Sequence, residues 1–248
     1  MSTIYILWLR QLKRFFRRRA RIIGSIGQPL LFLVALGFGM GPVYAKAGQG
    51  SYIQFLAPGI IAMSILFTAV FSGVEVIWDR QFGFLKETLV APVSRLEIMI
   101  GRTLGGATVA VVQGLIVLLV SALVGFRILN LSQLPLTFLF MFLIALAFTA
   151  FGTAVASTLD DMHGFQLIMN FLVMPLFFLS GSFFPLNGLP KPLAIVTRLN
   201  PLSYGVDGLR DTLIGVTHFG VGPDLLVLAS ITILFLVLGS FLFSKTQI

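Results

Sequence analysis

Six long apolar stretches dominate this sequence, and they leave a chain of this kind few ways to fold. They run over Ile22–Gly41, Phe55–Trp78, Thr103–Phe126, Pro135–Thr158, Phe165–Phe184 and Leu225–Phe243. Each is close to the roughly 20 apolar residues that a helix needs to cross a bilayer. The stretches are continuously apolar, without the ten-residue alternation of outer-membrane strands, so helices are expected rather than a barrel. Charge usage agrees, with 10% charged residues against 57% hydrophobic; a soluble domain carries about 25% charged residues. So few charges cannot cover a water-exposed surface, and the missing solvent is lipid. The expected fold class is an all-α integral membrane protein with six transmembrane helices, an N-terminal amphipathic interfacial helix and short outer helices before the last span. Residues 1–21 form the interfacial segment, and 22–248 form one membrane domain.

The net charge is +8. In a soluble protein that would suggest nucleic acid, but here the charge is concentrated. Arg10, Lys13, Arg14, Arg17, Arg18, Arg19 and Arg21 hold seven of the seventeen basic residues. Beside a membrane such a cluster marks the cytoplasmic face and its anionic lipid, and no nucleic acid is expected. With the N-terminus inside, basic residues number seven before the first span, four between spans 2 and 3 (Arg80, Lys86, Arg95, Arg102) and one at Lys245. Five fall outside: Lys46, Arg127, Lys191, Arg198 and Arg210. Twelve against five places both termini in the cytoplasm. The run Ile22–Met40 is too long for the core of a cleaved signal peptide and is followed by no small-residue cleavage site, so it is read as a retained span.

At 100° per residue, Ile4, Leu7, Trp8, Leu12, Phe15 and Phe16 share one arc, while Arg10, Lys13, Arg14, Arg17 and Arg21 fall on the other. That is the pattern of a helix lying on the inner leaflet. Trp8, Lys13, Arg14, Arg17 and Arg18 are its expected anchors, and docking of a cytoplasmic partner is compatible with that role. Between the last two spans, Pro185–Asp224 is not polar enough for a solvated loop. Leu202–Ile214 reads as a short helix, with Ser203 as N-cap and Gly215 as stop. Asp207, Arg210 and Asp211 stand at i, i+3 and i+4, where they pair on one face. No internal repeat is evident.

Several chemistries are missing. None of the five lysines follows a glycine, so there is no phosphate-binding P-loop. There is no HExxH or GxGxxG, and His163 and His218 are far apart, so neither a metal nor a bound cofactor is expected on this chain. The absence of cysteine excludes thiol catalysis. Inside the spans the single acid is Glu75, close enough to the inner interface to reach headgroup water. Asp160, Asp161 and His163 form the tight turn between spans 4 and 5, where negative charge suits the start of the next helix.

The loop after span 2 is the most informative. From Asp79 to Arg102 it mixes charge with Phe82, Phe84, Leu85 and Leu89, a composition suited to a helix that faces a protein partner or the membrane surface. Pro92 ends it. Ser94, with Glu97 at capping-box spacing, starts the helix leading into span 3.

Two segments and one order carry a resemblance. The segments are Phe84-Leu-Lys-Glu-Thr-Leu-Val-Ala-Pro-Val-Ser-Arg and Leu199-Asn-Pro-Leu-Ser-Tyr-Gly-Val-Asp-Gly-Leu-Arg-Asp-Thr-Leu-Ile-Gly. The order is basic amphipathic helix, six spans and a long last outer loop. Together they resemble the membrane permease subunit of type-2 ABC exporters, the group that includes bacterial drug-resistance and polysaccharide or lipo-oligosaccharide permeases. The resemblance implies a half-transporter in the bacterial inner membrane that works as a homodimer, moves a drug-like, lipid or glycan molecule and is driven by a separate ATPase subunit. ATP and Mg then belong to that partner. It implies ATPase coupling through Asp79, Phe82, Phe84, Leu85, Lys86 and Glu87, and an outer gate at Asn200, Pro201, Tyr204, Asp207 and Arg210. The rival reading is a secondary transporter or channel, which would need intramembrane charges or related halves. A membrane-embedded enzyme would need a catalytic constellation that the sequence lacks.

Overall fold

A computed structural model describes residues 3–17, 19–48, 50–84 and 93–244. Among them every regular element is helical: α1 (Thr3–Arg17), α2 (Arg19–Lys46), α3 (Tyr52–Phe71), α4 (Val74–Gln81), α5 (Arg95–Val124), α6 (Leu134–Ser157), α7 (Met162–Phe178), α8 (Lys191–Leu199), α9 (Pro201–Ile214) and α10 (Val221–Ser244). The all-α membrane class expected from the sequence holds.

Among the described residues, five segments have the length and composition to cross a membrane: Gly24–Lys46, Tyr52–Gln81, Arg95–Val124, Leu131–Ser157 and Val221–Leu242. The expected span at Phe165–Phe184 is shorter than read. Helix α7 has 17 residues, about 26 Å at 1.5 Å per residue, the low end for spanning. It stops because the chain turns at Gly181, whose φ of 75° lies in the left-handed region.

The centre of the bundle is α3. Leu56, Ile60, Ile65 and Leu66 are fully buried, and α2, α5, α6 and α9 pack around it. The second span is broken at Ser72–Gly73, where α3 gives way to α4. There the backbone meets α6 at close range. A Cβ on Gly73 would lie 2.4 Å from the Gly152 carbonyl, and one on Gly152 would lie 2.3 Å from that of Val70. Small residues are what let membrane helices approach this closely. Apolar side chains left on the outside, such as Phe38 on α2, Phe171 on α7 and Val237 on α10, are exposed, as suits a surface solvated by lipid.

The helix ends follow local chemistry. The Ser94 hydroxyl accepts from the Glu97 N–H while Glu97 Oε2 accepts from the Ser94 N–H, the capping box read from the sequence. The Asp161 carboxylate accepts from Gly164 N–H and starts α7. Helix α9 begins earlier than expected. Its cap is Asn200, whose Oδ1 accepts from Leu202 N–H at 3.0 Å, and Pro201 takes the first helical position, where a missing N–H costs nothing. Ser203 lies inside the helix. Gly215, at φ 73°, closes it as expected.

Candidate functional site

Polar chemistry gathers at the two ends of the bundle. At one end α1 lies along α5. A Cβ on Gly101 would stand 3.0 Å from Leu7 Cβ and 3.1 Å from the Ile4 carbonyl, and one on Gly105 would stand 2.6 Å from Gln11 Cγ. The two glycines, four residues apart on one face of α5, form a groove that admits the α1 backbone. Trp8 Nε1 donates to Thr108 Oγ1 at 3.0 Å, and Leu7 and Phe15 are buried. Much of the apolar stripe of α1 is therefore spent on its own bundle.

That docking turns the basic stripe of α1 toward the acids of α4. Asp79, 3% exposed, accepts from Arg10 Nη2 at 2.7 Å and Nη1 at 3.1 Å, and from Arg102 Nη2 of α5 at 2.7 Å. Glu75 pairs with Arg14 at 3.1 Å. Glu75 is buried rather than reaching headgroup water, because α1 covers it. The Arg10 guanidinium also lies 3.7 Å over the centre of the Phe84 ring, within cation–π range. The residue after Asp79, Arg80, donates to the carbonyls of Ser157 at 2.7 Å and Leu159 at 3.1 Å and pairs with Asp160. A cation thus sits at the C-terminal end of α6, where the helix dipole favours it. Phe82, just beyond α4, is 83% exposed.

Of the residues read from the sequence, Asp79, Phe82 and Phe84 lie together at this end with Trp8 and Arg14; Lys13 and Arg17 are exposed on α1. Leu85, Lys86, Glu87 and Arg18 lie outside the described residues, as does Pro92. Sequence reasoning missed Arg10 and Arg102 as partners of Asp79. The available signal was a lone arginine two turns inside the capped helix that starts at Ser94; its 23-residue separation from Asp79 gave no hint of contact.

At the opposite end, α9 is tucked among α3, α6 and α10. Arg210 is 4% exposed. It donates to the Gly181 carbonyl at 2.9 Å and lies 4.0 Å over the Phe55 ring. Burial lowers its pKa to about 10, against the opposing charge of Asp207, so it remains cationic at neutral pH. It makes no ion pair with Asp207 or Asp211 among the described residues. Asp207 instead accepts from the backbone N–H groups of His218 at 2.8 Å and Phe219 at 2.7 Å and from the Thr217 hydroxyl at 3.1 Å. The i, i+3 pairing fails because Arg210 turns to the Gly181 carbonyl in the turn after α7 while Asp207 turns to the backbone N–H groups before α10. Asn200 Nδ2 donates to the Leu176 carbonyl at 2.6 Å, and the Tyr204 hydroxyl to that of Arg198 at 2.8 Å. The expected gate residues thus all lie on α9 or at its start, Asn200, Asp207 and Arg210 buried and Pro201 and Tyr204 half-buried.

A helical bundle with apolar flanks, a clasped basic helix at one end and tucked short helices at the other defines a multi-pass membrane protein. Comparison with known proteins narrows this. The sequence pattern described as ABC-2 type transporter matches residues 2–214. The chain is 29% identical to a putative transport permease ycf38 of Cyanophora paradoxa, covering 99% of this chain and 89% of that one. It is 32% identical to the ycf38 permease of Pyropia yezoensis, over 85% and 73% of the two chains. It is 30% identical to nodulation protein J of Rhizobium leguminosarum bv. trifolii, over 79% and 75%. The chain belongs to the ABC-2 type transporter family and is a membrane transport subunit.

Proposed function

We propose that this chain is the transmembrane half of an ATP-driven exporter, paired with a second copy of itself and driven by separate ATPase subunits. In this reading it carries no cofactor, and ATP and Mg bind the partner. It sits in a bacterial plasma membrane, with both termini and the α1 end in the cytoplasm and the α9 corner at the exit. Its cargo is a drug-like, lipid or glycan molecule. One observation carries the reading: an exposed phenylalanine, Phe82, stands at the tip of a short helix held by ion pairs to Glu75 in its first turn and Asp79 in its last. Aromatic anchors of this kind supply much of the binding energy at protein interfaces. A rigid mount lets contact energy move the helices behind it, provided the partner binds the two states of the bundle unequally. Lys86 and Glu87 would set the partner's orientation by charge, and Leu85 would add apolar contact. Family membership weighs against an uncoupled channel or secondary transporter.

The test is co-purification with the ATPase, followed by transport and hydrolysis assays in vesicles. Phe82→Ala and Glu87→Lys are expected to leave the chain inserted while lowering transport at least tenfold and removing its stimulation of hydrolysis. Normal export by both variants with the ATPase bound would overturn the proposal.

A further inference from the structure

Helix α10 begins at Val221, ahead of the apolar stretch that starts at Leu225, and so takes Asp224 into its first turn. There Asp224 is 0% exposed, and among the described residues neither of its carboxylate oxygens has a hydrogen-bond partner. Asp207 shows the contrast: equally buried, it accepts from two backbone N–H groups and a hydroxyl. The elements packed on this turn bring Asp224 no cation. Helix α9 carries Asp207 and Asp211, both near enough to repel a charge on Asp224, while its Arg210 turns to the Gly181 carbonyl and its Tyr204 hydroxyl to that of Arg198. The turn before α10 carries His218, whose ring Nδ1 meets Asn187 Oδ1. Helix α6, which lies along α10, has no charged residue. The charges of α5, Arg95, Glu97 and Arg102, lie toward the far end of α10, where Met99 meets Gly239.

A carboxylate enclosed with no donor and two like charges nearby is far costlier than the neutral acid, for which a missing hydrogen bond costs a few kcal/mol. A metal ion does not relieve it: among the described residues no three acidic or histidine side chains are placed to share one. A proton needs no coordination shell. We propose that Asp224 is a proton-binding site and that its proton latches the first turn of α10 onto α9. Loss of the proton sets a third negative charge against Asp207 and Asp211, and the turn parts from α9. The neutral acid belongs to the packed state, so packing is complete at low pH and is lost as pH rises through the titration of Asp224. The latch belongs to the folded chain and needs neither cargo nor ATPase.

Two measurements in lipid vesicles test it. Infrared spectra at about pH 6 and about pH 9 are expected to show the carbonyl stretch of an undissociated acid at the lower pH, weakened at the higher and missing from Asp224→Asn; Asp224→Leu serves should Asp224→Asn fail to insert. The native chain lacks cysteine, so Leu228→Cys, buried one turn further along α10, reports opening through its rate with N-ethylmaleimide. Dividing by the rate of the exposed Val216→Cys at each pH cancels the reagent's own pH dependence, and Leu225→Cys is the second reporter. The ratio is expected to rise about fivefold over that pH range, as for local opening of a helix end, and to stay flat with Asp224→Asn. An acid band unchanged by the substitution, a flat ratio in the native background, or a rise that survives Asp224→Asn would overturn the proposal.

Discussion

Asp79 is the side chain on which most of the polar order at the α1 end depends. It joins α4 to α1 through Arg10 and to α5 through Arg102, both at 2.7 Å. Removing one partner of a buried pair leaves an uncompensated charge, so Asp79→Asn is expected to cost about 3–5 kcal/mol. The combined change Asp79→Leu with Arg102→Met is expected to cost less than Asp79→Asn, because it removes the buried Arg102 guanidinium and leaves only the partly exposed Arg10 without its carboxylate. Denaturant unfolding in detergent reads the difference, and a loss in the double variant as large as that of Asp79→Asn would contradict this account. At the other end Asp207 receives two backbone N–H groups and a hydroxyl. Asp207→Asn weakens charge-assisted bonds, with an expected loss of about 1–3 kcal/mol. The check is faster hydrogen exchange at the amides of His218 and Phe219, with α3 unchanged.

At the scale of elements, α1 is held by shape as much as by charge. The groove of Gly101 and Gly105 fits a helix backbone only without side chains on that face. Gly105→Leu is expected to push α1 off α5 and break the hydrogen bond from Trp8 to Thr108. The readouts are a red shift of tryptophan emission and faster proteolysis within Thr3–Arg17. An unchanged spectrum and cleavage rate would mean that the ion pairs alone suffice to seat the helix. The same logic applies where α4 begins. Gly152→Ala would place a methyl 2.3 Å from the Val70 carbonyl, and strain of this kind costs about 1–3 kcal/mol in a packed interior.

For the whole molecule the testable quantity is orientation. The excess of basic residues on one side predicts that a cysteine at Lys13 labels only from the cytoplasm and one at Lys191 only from outside. Labelling of Lys191→Cys from the cytoplasmic side alone would invert the arrangement and move the α9 corner away from the exit. Orientation and coupling are linked here. If the α1 end faces the cytoplasm, the exposed Phe82 faces it too, where the proposed ATPase would dock. The α9 corner, held by Arg210 on Gly181 and by Asn200 on Leu176, then lies across the outer end of the bundle.

The class of fold, the approximate position of each long helix and several helix ends were legible in the sequence. Apolar length, the Ser94–Glu97 capping box, Asp161 at the start of α7 and Gly215 at the end of α9 are local rules, acting within four residues. Sequence reading missed what depends on distant neighbours. Glu75 looked solvated until α1 was laid over it, and Arg210 looked paired with Asp207 until each turned to a different inter-helix turn. Only the tertiary structure decided these, because the partners of a buried charge are chosen by which backbones can approach. Here glycines four residues apart on α5 admit α1, and that contact brings Arg10, Asp79 and Arg102 within hydrogen-bonding distance across 92 positions of sequence.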